Sequence, residues 1–572
     1  MIDAKFFTHP RADWQRRYEA LRTSFVDRLP AKVVADRFGF TPAYINLMRH
    51  LFKTGKLDFN EPTVEGKIAR RKVSRAIREK VCAWRRENLS AGEIAQLLFD
   101  EGCEISVRTV ERVLLDEGFA KLPRRVRLKI GLTVKGAAVP ERSEAITLRA
   151  VDGHGFESMA AGVYLFAPFL AQLDFAQIVR TAGLPSTKAI PAMSYILALL
   201  SLKLLGNERY AHVGDHAFDP GLGLFCGLNA LPKCTALSTY SYSLDEVHMQ
   251  RLQGAFVKQA AACGLYDGRT VNLDFHTIPH YGDESVLEKH WAGARGKRMK
   301  GALTLLAQDA GSKLMLYTAA DIQRAEADDQ VPAFLSFWRT VRRGVKPMLV
   351  FDSRLTTYAK LSALNAAGVK FITLRRRGKQ LLQELESLEG WQRIHIPHAK
   401  RKYPNPQVHD STTGLRGYEG DIRQLILKGN GREHPAFIIS NDFDMPVELL
   451  AGTYARRWRI ENGIAEAIKF FHLNALSSPI LTKVHFDMVL TMVADTLYSM
   501  LARKLRGFEE CDAPKLYRHF VRGKATVAVK GSEVVVTYPR RAHNPILKGV
   551  PWQNLPSELP ASTGGKLILR FM

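Results

Sequence analysis

The stretch Gly452-Thr453-Tyr454-Ala455-Arg456-Arg457-Trp458-Arg459-Ile460-Glu461 decides how the rest of the chain is read. Its spacing predicts a helix, with Asp444 as N-cap and Pro446 in the first turn. Tyr454, Arg457 and Glu461 then stand three and four residues apart, on one face at about 100° per residue. A carboxylate flanked by a guanidinium and a phenol is poor material for packing a core. It suits a metal-bound phosphate, with Glu461 on the cation and Arg457 and Tyr454 on phosphate oxygens. The plain alternative is a solvated, salt-bridged helix face.

Working outward, two more acids sit on apolar strands. Val271-Asn272-Leu273-Asp274-Phe275 alternates as a strand, and Pro347-Met348-Leu349-Val350-Phe351-Asp352 is an apolar strand ending in an acid. Asp274 and Asp352 are 78 residues apart, and Glu461 follows 109 residues later. Carboxylates on two adjacent strands and one helix can converge on two divalent cations about 3.5–4 Å apart. Hard oxygen ligands suit Mg²⁺, with Mn²⁺ tolerated. Asp309, Asp321, Asp442 and Asp444 read instead as turn, strand-end and helix-start residues. His276 and His280 lie near Asp274 and read as structural.

The Tyr-x2-Arg-x3-Glu pattern resembles the third block of the DDE transposases of bacterial insertion sequences, in the group marked by this helix. Leu273-Asp274, followed by Thr277 and Gly282, and Phe351-Asp352-Ser353-Arg354 resemble that family's first and second acid blocks. The resemblance spans roughly residues 150–510. It implies that Asp274, Asp352 and Glu461 are the catalytic metal ligands and that Tyr454 and Arg457 contact DNA. Two departures stand out. The family places a lysine seven residues after the glutamate, where this chain has Ile468 followed by Lys469; Lys469 is taken as the DNA contact. The family often has glycine two residues after the second acid, where this chain has Arg354.

The expected fold is a multidomain α+β chain: N-terminal helix-turn-helix units, a helical region, and a ribonuclease H-like α/β catalytic core with a β-rich insertion. The predicted order from Thr270 is three strands, a helix (Val331 to Arg342), a strand, a helix (Thr357 to Ala367) and a strand (Val369 to Leu374). The boundaries are 1–60 and 61–130 for the helix-turn-helix units and their basic linker, and 131–265 for a linker and DNA-gripping helices. Core segments 266–375 and 437–510 flank the insertion at 376–436, and 511–572 is a C-terminal tail with a hairpin.

The formal net charge is +25 and the pI near 9.8, which points to a polyanionic partner. Residues 1–130 alone hold 27 Lys and Arg against 17 Asp and Glu. Two helix pairs lie there. The first ends in a helix from Thr41 to Phe52 expected to expose Ala43, Tyr44, Asn46 and Arg49. The second ends in a helix from Ser106 expected to expose Val107, Arg108, Thr109 and Arg112. Such a second helix enters a major groove. Basic runs follow each pair: Lys67, Arg70, Arg71, Lys72, Arg75, Arg78 and Lys80, and later Lys121 to Lys129. They suit phosphate tracking.

Six scattered cysteines without a C-x-x-C pair indicate free thiols and a reducing compartment, the bacterial cytoplasm. No secretory apolar segment and no G-x-x-x-x-G-K-[ST] loop occur, so neither export nor ATP use is expected. The apolar run Ile190 to Leu205 is short for a membrane span and reads as a buried helix.

The resemblance therefore implies a transposase that binds terminal inverted repeats and target DNA as a homodimer and uses two Mg²⁺ or Mn²⁺ ions. It would cleave the ends and transfer the strands. The rivals are a non-catalytic, sequence-specific DNA-binding regulator derived from a transposase, and a structure-selective nuclease on the same fold.

Overall fold

The computed structural model describes residues 12–57, 73–86, 89–119, 141–281, 287–293, 296–376, 378–383, 385, 388–396, 403–431, 434–475, 480–562 and 564–572. Arg70 and Arg71, with the first half of the basic run Lys67 to Lys80 and the whole run Lys121 to Lys129, lie outside them; Arg78 and Lys80 fall in the helix Arg75–Arg86. The chain forms two compact units, Met1–Glu79 and Lys80–Met572.

The first unit is built on α1 (Asp13–Phe25), α2 (Ala31–Phe38) and α3 (Pro42–Lys53). Gly39 ends α2 at φ 70°, a left-handed conformation that a side chain would strain. Thr41 then caps α3 by accepting from Tyr44 N, with Pro42 in the first turn. Val34, Phe38, Ile45 and Met48 pack with Ala20 and Leu21. Two expected surface residues are turned inward. Tyr44 is half-buried against Phe40, ring centroids 5.2 Å apart. Arg49 is half-buried too, donating to Ser24 Oγ and to the Leu29 carbonyl at 2.9 Å. Its guanidinium satisfies the end of α1 rather than facing solvent. Asn46 remains exposed.

α4 (Arg75–Arg86), α5 (Ala91–Asp100) and α6 (Val107–Asp116) come next. Ser90 and Glu93 form a reciprocal capping box at α5, and Ser106 caps α6. Arg108 is exposed and Arg112 half-buried.

The helical region holds α7 (Ala167–Gln172), α8 (Phe175–Ala182), α9 (Ala192–Leu204), α10 (Pro220–Phe225), α11 (Cys234–Tyr242) and α12 (Glu246–Ala262). α9 is apolar all round and almost wholly buried. Its one charge, Lys203, donates to the Phe471 carbonyl at 2.8 Å and to Asp487 at 2.7 Å. Among the described residues, no single helix is long and apolar enough to cross a membrane. All six cysteines are free.

The central sheet runs β3 (Lys289–Ala292), β4 (Lys297–Asp309), β2 (Thr270–Pro279), β6 (Met348–Phe351), β7 (Phe371–Leu374), β11 (Ala436–Ser440), β10 (Asp421–Lys428), β9 (Gln407–Gly414) and β8 (Gln392–Arg393); β5 (Met315–Ile322) pairs with β4. β2, β6 and β7 are mutually parallel; β4 pairs antiparallel with β2, and β5 antiparallel with β4. α13 (Gln330–Val341) and α14 (Tyr358–Ala366) are the crossovers. The region expected as an insertion does not fold apart. After α15 (Lys379–Gln383), its strands β8–β10 continue the same sheet through β11, because Ile438 and Ser440 pair with Leu374 and Ile372.

α16 (Val447–Ala455), α17 (Trp458–Phe471) and the long α18 (Leu481–Ala502) follow, then α19 (Ala513–Leu516) and α20 (Asn544–Lys548). The C-terminal hairpin is not a tail. β12 (Ala525–Lys530) and β13 (Glu533–Tyr538) sit between β1 (Gly155–Ser158) and β14 (Lys566–Phe571) in a second sheet.

α18 ties the parts together. Its Tyr498 hydroxyl donates to the Leu204 carbonyl at 2.6 Å, and His485 bridges Glu246 and the Thr318 carbonyl at 2.9 and 2.8 Å. Leu497 is fully buried there. Leu497→Ala should lower stability by about 2–5 kcal/mol, measured by denaturant unfolding, because the site cannot collapse around the lost side chain.

Candidate active site

β2 places Asp274 in mid-strand, with Asn272 and His276 on the same face at the two-residue period. Asp352 follows the last residue of β6, where a parallel strand delivers its carboxyl end, and lies on that face with Val350. α17 lies across the face. Its stripe of Ile460, Ile464, Ala467 and Phe471 is buried at helical spacing. Gly463 lies in that stripe. A Cβ there would stand 2.8 Å from Gln308 Nε2 and 3.1 Å from Met315 Cε, so glycine lets the helix sit close to the sheet.

The expected single helix is two helices. α16 is capped at Pro446, not Asp444, and stops at Ala455; α17 resumes at Trp458. Between them Arg457 N donates to Tyr454 O at 3.0 Å, Arg459 N to Arg456 O at 3.0 Å, and Ile460 N to Arg457 O at 3.1 Å. These three-residue bonds tighten the chain to a turn in which residues three apart eclipse. Tyr454 and Arg457 therefore stack, with the guanidinium carbon 5.9 Å from the ring centre. Glu461 follows Arg457 by one regular helical turn.

Arg457 is the centre of the constellation. Its Nη1 donates to Asp274 Oδ2 at 3.0 Å and its Nη2 to Glu461 Oε1 at 2.6 Å. The Arg457 and Asp274 side chains are 13% and 18% exposed, whereas Glu461 is 55% exposed. Burial pushes the Asp274 carboxyl up to about 6; Arg457 opposes this, while Glu461 and Asp352 add to it. Burial disfavours the Arg457 charge, but Tyr454, Asp274 and Glu461 together raise the guanidinium above its ordinary value. Asp352 accepts from the Ser353 hydroxyl at 3.1 Å and from Arg354 N at 3.3 Å, both through Oδ1. The Asp274 pKa thus registers both other acids, though Arg457 separates Asp274 from Glu461.

Among the described residues, no three His, Cys, Asp or Glu side chains stand close enough to hold a metal ion in this arrangement. The donor set itself is right for a hard cation: three carboxylates and no soft ligand. Seating a cation requires the Arg457 guanidinium to leave Asp274 and Glu461.

A cavity of about 260 Å³ opens beside the acids, lined by Asp274, His276, Tyr281, Glu461, Ile468 and Asn474 among others. Burial lowers the His276 pKa, and its Nε2 meets Asn474 Oδ1 at 2.6 Å. Asn474 was not singled out by the sequence, since a lone asparagine after a helix carries no motif. Ile468 lines this cavity and Lys469 does not. Seven residues after Glu461 bring a side chain back within about 20° of it, and eight carry it some 80° past. The exposed Lys469 instead acts on Glu466, on another side of α17.

The raised Asp274 pKa gives a pH signature. Between its ordinary 3.8 and about 6, the folded protein holds a proton that the unfolded chain has released. The stability due to the neutral carboxyl is present below the ordinary value and is lost as pH rises through about 6. Metal-free protein should therefore lose about 3 kcal/mol over this window relative to Asp274→Asn, at 1.36 kcal/mol per unit, as read by denaturant unfolding.

No curated protein matches the chain. Residues 264–495, which contain Asp274, Asp352, Arg457 and Glu461, match the family model of the transposase DDE domain, so this segment is similar to the catalytic domain of DDE transposases.

Proposed function

We propose that this protein is a transposase that binds transposon-end DNA and catalyses metal-dependent phosphodiester cleavage and strand transfer. The observation that carries the reading is the placement of Asp274, Asp352 and Glu461 around one sheet face, with Arg457 between two of them, inside the segment matched to a transposase DDE domain. The strand order β5-β4-β2-β6-β7, antiparallel and then parallel, favours a ribonuclease H-like core.

In this mechanism Asp274, Asp352 and Glu461 would hold two Mg²⁺ or Mn²⁺ ions, whose chemistry would be to activate the attacking oxygen and stabilise the leaving oxygen at phosphorus. The chain's own residues do the positioning. Arg457 exchanges carboxylates for a phosphate oxygen, a charge-assisted bond of the same kind. Tyr454 stacks on the guanidinium and fixes its plane. The α2–α3 and α5–α6 pairs are read as helix-turn-helix units for end recognition. Asn46 and Arg108 are exposed and available for base or phosphate contact. A homodimer on paired ends and work in the bacterial cytoplasm complete the reading.

Glu461→Gln should retain DNA binding and abolish strand cleavage in both Mg²⁺ and Mn²⁺, assayed on supercoiled DNA carrying the element's own ends. Cleavage by that variant would overturn the proposal. Arg457→Ala should slow cleavage by about 2–4 kcal/mol of transition-state stabilisation. Lys469→Ala, facing Glu466, should cleave at the wild-type rate.

A further inference from the structure

β3 and the start of β4 form a two-stranded ribbon, Lys289–Ala292 against Lys297–Lys300. The register sets Lys289 opposite Lys300 and Trp291 opposite Arg298. Directly opposite residues share a face, so these four side chains stand together. His290 and Ala292 point the other way and are buried. The neighbouring carboxylate is turned that way too: Glu288 accepts from Arg324 N at 2.7 Å and lies 3.7 Å from His290 Nε2. The outward face therefore holds three cations and a ring, with no carboxylate on it among the described residues. Lys289, Trp291 and Arg298 are exposed, the tryptophan by 51%. Like charges directly opposite one another destabilise a strand pair, and an anion laid across them offsets the repulsion.

The ribbon is continuous with the candidate active site. β4 runs on from Lys300 to Leu306, which pairs with Asp274. His280 N donates to the Lys300 carbonyl at 2.9 Å, carrying the β2–β4 pairing one step into the ribbon. Lys300 and Arg298 stand six and eight residues before Leu306, so the two-residue period puts them on the sheet face of Asp274. At about 3.4 Å per residue they lie roughly 20 and 27 Å along the strand from it. A duplex stacks each base between its neighbours, whereas an unpaired base offers an open face to an aromatic ring. Cations beside an exposed tryptophan match that partner: phosphates meet the charges and a base meets the ring.

We propose that the outward face of the β3–β4 ribbon binds single-stranded DNA on its path to the acids, with a base stacked on Trp291 and phosphates on Lys289, Arg298 and Lys300. The inference rests on the transposase reading and deepens it, because it names the form of DNA that this end of the sheet receives. A strand held here is anchored about 20 Å from Asp274, outside the reacting site but on the same face.

The test uses the full chain in EDTA, with anisotropy titrations of labelled oligothymidylate and of a random-sequence duplex across a range of salt. Trp291→Ala should weaken oligothymidylate binding roughly tenfold, the effect of losing one stacked base, and leave duplex binding and the thermal midpoint unchanged. Trp291→Phe should recover most of the affinity, because a ring returns. Lys289→Gln and Arg298→Gln should each lower the slope of log K against log salt by about 0.7, one single-strand phosphate contact. These two variants probe the same face with Trp291 intact. If Trp291→Ala binds oligothymidylate as wild type does, or the charge variants keep the wild-type slope, the proposal falls and the reading of the acids stands. If Trp291→Ala weakens duplex and single strand alike at an unchanged midpoint, the face serves duplex and the proposal is overturned. If wild-type protein binds neither DNA, both fall.

Discussion

Three carboxylates gathered on one sheet face repel one another, and burial amplifies the repulsion by removing the water that would screen it. The guanidinium of Arg457 makes the gathering tolerable. It spans Asp274 on the sheet and Glu461 on α17, so it also holds the helix at the height where the third acid can join. Breaking such a pair by removing one partner is costly, because the other is left charged and half-desolvated. The close seat of α17 at Gly463 and the tight turn between α16 and α17 both serve this bridge.

On the proposed function the same bridge would couple two ligands. A cation and a guanidinium compete for the same carboxylate oxygens, whereas a phosphate and those carboxylates compete for the same guanidinium. An anion that draws Arg457 away clears the seats for cations, and by linkage bound cations free Arg457 for the anion. If the proposed function holds, the arrangement would favour loading of metal and DNA together over either alone.

Much of the central architecture was legible in the sequence. Asp274 and Asp352 stood on short apolar runs, where the period of two or a continuous apolar stretch marks strands. Arg457 and Glu461 stood one helical turn apart. The break between α16 and α17 was not legible, because a tight turn leaves the three- and four-residue spacing intact while shifting the angle. Asp444 looked like a cap but lies two residues too early, and Pro446 takes the place. Arg49 looked like a surface residue on pattern alone, and only the fold shows the Leu29 carbonyl waiting for it. Strands β8–β10 read as a separate insertion because pairing partners far apart in sequence leave no local signal.

The second sheet carries a consequence for synthesis. β1 finds its partner in β12, a pairing in which Lys524 reaches back to Glu157 across 367 residues. β1 and the helices beside it thus wait on the ribosome until nearly the whole chain has emerged, since long loops must close before such contacts form. The three-helix unit at the N-terminus needs no such partner, because its core of Ala20, Leu21, Val34, Phe38, Ile45 and Met48 comes from neighbouring segments. On a translating ribosome the N-terminal three-helix unit can be finished while the second sheet is still unmade.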